Sequence, residues 1–277
     1  MGYEEEYEDI TYEVRNKVAH ISMNRLRYRN AQSRRLLEEL DDAFARAAKD
    51  TGVNVIAFFG QGDHFSAGHD LGSEDEIADR SERPLQKGLR GRYDHSREEF
   101  VDKTLRWRNV PKPTIAGVHG YTIFAGWMIA SAMDIIYAAD DTMLLASNFQ
   151  YFSVPWDMHP RKAKELLYES RFIDGDEAAE LGVVNRVFPV ADLHDAVVEY
   201  AERIAKNDPF QLRMMKLAVN QMQDGQGFVG HITAAHHMHI ISSEGERDPD
   251  FSLNVPQGQR RPMVERAFEN YERQKKT

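Results

Sequence analysis

Two segments of this chain place small residues where a backbone must come close to a bound group. The first is HFSAGHDLG, residues 64–72, and the second is PKPTIAGVHGYTIFAGWMIASAMDIIYAAD, residues 111–140. Each carries a short apolar run, VNVIAFFG at 53–60 or TIAGVHG at 114–120, into a glycine- and alanine-containing turn that can open a helix. Amide N–H groups at a helix start lack an intrahelical acceptor and point outward. Two of them converging on one point would form an oxyanion hole, which stabilises negative charge developing on a carbonyl oxygen. Such a device needs no particular side chain, only glycine or alanine where backbone meets ligand. Tight packing of helix on sheet is the competing explanation for either segment taken alone.

The elements that must position these turns follow from periodicity. Residues 10–14 and 17–23 predict two strands joined at Arg15-Asn16, with Asn16 a turn residue. Leu36, Leu37, Leu40, Phe44, Ala47 and Ala48 recur at helical spacing. The run at 53–60 suits a strand covered on both faces. Residues 72–100 are polar and irregular, which predicts an active-site loop or a loosely ordered helix. A small-residue helix at 124–133, a strand at IIYAAD, a helix near 161–170 and the segments GDEAAELG and VVNRVFP follow. Strands alternating with helices predict a layered α/β core with right-handed crossovers. From about residue 191 onward the pattern is helical only. We therefore expect an α/β core over 1–195 and a helical region over 196–277.

Composition excludes several classes. The 277 residues are 42% hydrophobic and 29% charged, an ordinary globular balance. The formal net charge of −10 supplies no domain-wide basic excess for nucleic acid. The absence of cysteine rules out disulfides, thiolate catalysis and cysteine metal sites, and it fits a reducing cytoplasm. The start, MGYEEEYEDI, is acidic where a signal peptide would be basic, and no run approaches the ~20 apolar residues of a membrane span. His236 and His239 in HITAAHHMHI are three apart, but no carboxylate stands beside them at helical spacing within that run. A helix surface or subunit contact explains them better than zinc, so no metal site is expected.

The two segments, in this order and at this separation, resemble the enoyl-CoA hydratase/isomerase (crotonase) family. The resemblance covers roughly residues 10–225. It includes MNR at 23–25, FSAGHDL, KPTIAGVHGY, and KELLYESRFIDGDEAAELGVVNRVFP at 164–189. It implies a crotonase-type core of stacked ββα turns with a C-terminal helical region, assembled as trimers or hexamers. It also implies an acyl-CoA thioester substrate, with coenzyme A as part of the substrate and no separate cofactor. The family's first oxyanion donor falls on the N–H of His69, within a loop, Ser66, Ala67, Gly68, Asp70 and Leu71, that would contact the CoA arm. Its Gly-Gly-Gly turn reads Phe124-Ala125-Gly126 here, and the second donor falls on Ala125.

This sequence departs from the family's hydratases at both catalytic glutamates. The first position is Met128, and the second aligns near Phe149, in a stretch 142–156 with no Asp or Glu. The proton-transfer groups on offer instead are His69, Asp70, Asp157 and His159. For His69 the backbone alone or the imidazole could matter. Asp70 could cap the following turn, and Asp157 and His159 could simply start a helix before Pro160. Arg25, Arg27 and Arg29 lie where the family holds the CoA nucleotide and pantetheine arm. A guanidinium fork suits phosphate, and a solvated cluster is the alternative. The resemblance also implies that Lys275 and Lys276 could reach a neighbouring subunit's CoA. The reaction could be a hydratase, isomerase, decarboxylase or C–C hydrolase step. A catalytically impaired acyl-CoA-binding protein, or an enzyme acting on a non-CoA ketone, are the alternatives.

Overall fold

A computed structural model of the chain describes residues 7–146, 152–245 and 261–276. The chain opens on a hairpin of β1 (Ile10–Arg15) and β2 (Val18–Met23), paired antiparallel. Asn16 and Lys17 turn it with φ of 51° and 64°, the left-handed pair that matches strand twist. Then come α1 (Arg34–Lys49), β3 (Val55–Gly60), α2 (Glu74–Glu82) and α3 (Gly88–Ser96). A π-helical turn, Arg97–Asp102, joins α3 to α4 (Lys103–Arg108). The middle of the chain holds β4 (Thr114–Val118), β5 (Tyr121–Ile123), α5 (Ala125–Ala130), β6 (Ile135–Ala139) and β7 (Met143–Leu145). It continues through α6 (Val154–Asp157), α7 (Pro160–Glu169), β8 (Ile173–Asp174), α8 (Gly175–Glu180) and β9 (Arg186–Phe188). The last helices are α9 (Val190–Ile204), α10 (Pro209–Gly225), α11 (Phe228–Ser242) and α12 (Pro262–Gln274).

Among the described residues the strands form a six-stranded sheet, β1-β2-β3-β4-β6-β9, parallel beyond the first pair. A smaller sheet, β5-β7-β8, stands beside it. Strand alternation explains why the large sheet is covered twice. Ile56 and Phe58 of β3 join the main core with Leu36, Leu40 and Phe44 of α1, whereas Val55, Ala57 and Phe59 face Leu193, Val197 and Ala201 of α9. The α/β core expected from the alternating pattern is thus present, and among the described residues helices alone follow β9. Because α9 covers the sheet, a division at 195/196 cuts through a helix that belongs to the core.

Ser33 starts α1, accepting the Leu36 N–H at 3.2 Å, and Ser73 starts α2 in the same way through Glu76. The stretch 72–100, expected as a loop or loose helix, is helical over most of its length. Its apolar residues are too few to show a period. Helix α10 buries none of its residues, and Phe210, Met215 and Val219 are each more than half exposed. Among the described residues, no helix is long and apolar enough to cross a membrane.

Candidate active site

The two glycine-containing turns meet. Ser66 donates its N–H to the Tyr121 carbonyl at 3.0 Å, and Ile123 returns an N–H to the Ser66 carbonyl at 3.1 Å. This short bridge brings Gly68 against the second turn. A Cβ added at Gly68 would lie 2.9 Å from the Ile123 carbonyl oxygen and 3.4 Å from the Ala125 nitrogen, and Gly68 has φ +86°. Gly126 is packed as closely: a Cβ there would stand 2.6 Å from the Ser66 carbonyl oxygen. Only glycine satisfies both contacts, which is why small residues cluster here.

The amides follow from this backbone. Residue 69 bridges Gln32, and the bonds are made by its neighbours: Gln32 N–H to the Gly68 carbonyl at 2.8 Å and Asp70 N–H to the Gln32 carbonyl at 3.0 Å. Strand alternation turns the His69 amide to the other side, away from Gln32. Ala125 is the first residue of α5, whose N–H has no intrahelical acceptor. Phe124 before it holds φ 52° and ψ −115°, a conformation natural to glycine and costing a side chain on the order of 1–3 kcal/mol. Its N–H bonds the Leu145 carbonyl at 2.7 Å, so β7 fixes the second turn. Backbone strain of this kind clusters at functional sites.

The side chains sort as follows. The His69 ring packs on Phe100 of the π-helical turn, with ring centroids 3.7 Å apart. Burial, and then the nearby His239 and His95, push its pKa down to about 3, so the imidazole is neutral at physiological pH. Asp70 accepts bonds from the Gly72 and Ser73 amides, the Ser73 hydroxyl and Arg25. Burial opposes its ionisation, but these bonds outweigh burial and hold its pKa below the usual value. Its carboxylate therefore organises the loop. Arg25 is buried, and its guanidinium bonds Asp70 at 2.6 Å, Ser73 at 2.7 Å and Asp75 at 3.3 Å while stacking on Tyr28. Arg27 is exposed and paired with Glu74, and Arg29 is exposed in the left-handed region. Of the three arginines, Arg25 thus braces the first glycine-containing turn, and only Arg27 and Arg29 face solvent.

Ser66 is fully buried and ties Asn30 and Gly68 together through its hydroxyl. Ala67 donates to the Arg29 carbonyl at 2.9 Å, and Leu71 is half exposed at the rim. Met128 is buried, and no carboxylate replaces it at that position. Phe149 lies outside the described residues. Asp157 and His159 part company. His159 is exposed and its Nδ1 accepts the Arg161 N–H, a helix cap. The Asp157 side chain is partly buried, and its carboxyl accepts the Ser153 hydroxyl at 2.5 Å. Burial raises its pKa to about 7, although the Ser153 bond pulls the other way. Lys275 bonds Asp174 of its own chain at 3.0 Å. Asn30, Gln32, Phe100 and His95 were not visible as site residues in the sequence. Phe100-Val101, an apolar pair in a polar stretch, was the one signal there.

Among the described residues, no group of three or more His, Asp or Glu is arranged to hold a metal ion. His236 is buried and its Nε2 lies 2.9 Å from the Ser96 hydroxyl, and His237 meets Tyr93 at the same distance. Both histidines fasten α11 to α3, which keeps the π-helical turn and Phe100 over His69.

The family model of enoyl-CoA hydratase/isomerase matches residues 13–245. EchA13 of Mycobacterium tuberculosis, a protein provisionally named an enoyl-CoA hydratase, is 38% identical over 258 residues, covering 86% of this chain and 81% of its own. A Mycobacterium smegmatis structure provisionally named an enoyl-CoA hydratase superposes with a TM-score of 0.77 at 39% identity, over 84% of this chain and 93% of that one. An enoyl-CoA hydratase/isomerase from Xanthobacter autotrophicus Py2 does so with a TM-score of 0.77 at 30% identity, over 86% and 88%. The chain belongs to the enoyl-CoA hydratase/isomerase, or crotonase, family.

Proposed function

We propose that the protein is an acyl-CoA enzyme that holds a thioester carbonyl between the N–H groups of His69 and Ala125 and stabilises the enolate formed there. The observation that carries this reading is the meeting of the two turns, with Gly68 packed against the Ala125 amide. Removal of the thioester α-proton moves an electron pair onto the carbonyl oxygen. Two fixed donors stabilise that charge, and losing one costs on the order of 3 kcal/mol.

Asp157 is the acid/base we assign. A carboxyl with a pKa of about 7 is present in both protonation states near neutrality, which is what a group that takes and returns a proton requires. Asp157 follows β7 in sequence, and the Leu145 carbonyl of β7 holds the second turn. His69 acts through its backbone, because its ring is neutral and packed against Phe100. Arg27 and Arg29 face the CoA phosphates, and Ser66, Ala67 and Leu71 shape the loop that the CoA arm crosses. The unpacked apolar face of α10 fits burial against copies of the chain in a cytoplasmic trimer or hexamer.

The buried Met128 favours a second reading, an acyl-CoA-binding protein with impaired chemistry. Calorimetry with a panel of acyl-CoAs tests binding, which should weaken with salt as phosphate contacts are screened. Exchange of the thioester α-proton in D2O then separates the two readings. A folded protein that binds no CoA thioester would refute both.

A further inference from the structure

A cleft of about 420 Å³ opens behind the His69–Phe100 contact, its charged lining being Arg34, Arg83, Glu38, Asp94, His95, Glu98 and Glu99. Most of its charges are already matched. Arg83 pairs with Glu38 and Asp79, Glu99 with Lys103, and Glu98 with Arg106. Arg34 is different. Its side chain is only 8% exposed, and Nη1 alone is engaged, by the Arg83 carbonyl at 3.0 Å and Asp79 at 3.2 Å. Its Nε and Nη2 are sealed from solvent without a hydrogen-bond partner among the described residues. Those two atoms form one edge of the guanidinium, with two parallel N–H bonds spaced for the two oxygens of a carboxylate. A buried donor pair left unmatched is costly, so the natural complement is an anion.

The cleft borders the oxyanion site. His95, which lines it, meets the Phe100 ring edge-on at 5.6 Å, and the same ring lies 3.7 Å from His69. Phe100 sits on the π-helical turn, a local irregularity frequent at functional sites, and it is only partly buried. Its ring therefore lies between His69, whose N–H is the first donor, and His95, which lines the cleft together with Arg34.

We propose that the acyl group taken by this protein ends in a carboxylate, which seats on the Nε–Nη2 edge of Arg34 beside His95, with Phe100 yielding to the chain. This rests on the reading of the site as an acyl-CoA site. Burial first, then Arg34, Arg80 and Lys103, hold the His95 pKa down to about 4. The ring is therefore a neutral hydrogen-bonding partner for the arriving anion, and it does not compete with Arg34 as a cation.

The test is calorimetry with ω-carboxyl acyl-CoAs from malonyl to suberyl, each beside the straight-chain thioester of equal length, and with the free dicarboxylates. At the best-fitting length the carboxyl thioester should bind on the order of ten- to a hundredfold tighter than its neutral counterpart. Arg34→Gln should lower that ratio towards one. Arg34 is buried and holds Asp79, so a variant could fail to fold, but the wild-type comparison of paired thioesters needs no variant. Equal affinity within every pair would overturn the inference and leave the acyl-CoA reading standing. Binding of a free dicarboxylate as tight as that of its thioester would also overturn it, by showing a separate anion site. Failure of every thioester to bind would instead remove the acyl-CoA reading itself, and the inference with it.

Discussion

Asp157→Asn should stabilise the protein at neutral and alkaline pH while abolishing its proton transfer. In the folded chain the Asp157 carboxyl has a pKa of about 7, against 3.8 for the free side chain. Between those values the folded state holds a proton that the unfolded state has released. Stability therefore falls as pH rises from about 4 to 7, then stays level. Each unit of difference is worth about 1.4 kcal/mol, so ionised Asp157 costs the fold at most on the order of 4 kcal/mol at pH 8. Asparagine removes the charge and keeps an oxygen to accept the Ser153 hydroxyl. Urea unfolding of wild type and Asp157→Asn from pH 4.5 to 8.5 reads the difference directly. It should be small at the acid end, grow through pH 6, and level off above 7. The same variant should lose thioester α-proton exchange, and with it any apparent pKa near 7 in the rate profile. A stability difference that is flat with pH would show that the carboxyl ionises normally and would remove Asp157 from the mechanism.

Acid should destabilise the fold through its histidines. His69, held near pKa 3 by burial and by His239 and His95, stays neutral while the unfolded chain gains a proton below pH 6.5. That single group removes about 2 kcal/mol by pH 5, and His236, held near 4 chiefly by burial, acts in the same direction. Thermal melts between pH 7 and 4.5 follow the loss, and His69→Phe should flatten it. Phe44→Ala should cost about 3–5 kcal/mol in urea unfolding, because Phe44 is buried between Phe58 and Trp107 with ring centroids 5.5 Å from each. Crotonyl-CoA should be hydrated at least about a thousandfold more slowly than by a two-glutamate hydratase, as followed by enoyl thioester absorbance. Met128→Glu should restore little of that activity, since one carboxylate without its partner and a shaped water site does half the task.

The fold was legible wherever burial imposed a period. Leu36, Leu37, Leu40, Phe44 and Ala47 all point inward as their spacing required, and the runs at 53–60 and 114–120 contain the strands Val55–Gly60 and Thr114–Val118, buried along their whole length. The small sheet was not legible, because strands of two or three residues are too short to show alternation. The two glycine-containing turns were legible because glycine is demanded by local geometry. The surroundings of that site were not. Arg25 finds Asp70 and Asp75 across 45 and 50 residues of sequence, so a guanidinium that looked available for phosphate is consumed within the chain. His159 and Asp157 are two residues apart, yet one caps a helix at the surface and the other is partly buried with a raised pKa. Which of them could do chemistry depends on what packs above, and that is a property of the tertiary structure.

The backbone oxyanion hole is the centre of this account, and substitution at residue 69 tests it most directly. Alanine keeps the N–H and removes the imidazole, whereas proline removes the N–H. The measurement is the rate of α-proton exchange of a bound acyl-CoA in D2O, with near-UV circular dichroism confirming that each variant is folded. His69→Ala should keep most of the wild-type rate, and folded His69→Pro should lose about 10²–10³-fold. Equal loss in the two variants would show that the imidazole itself does the chemistry, and the backbone account would be wrong.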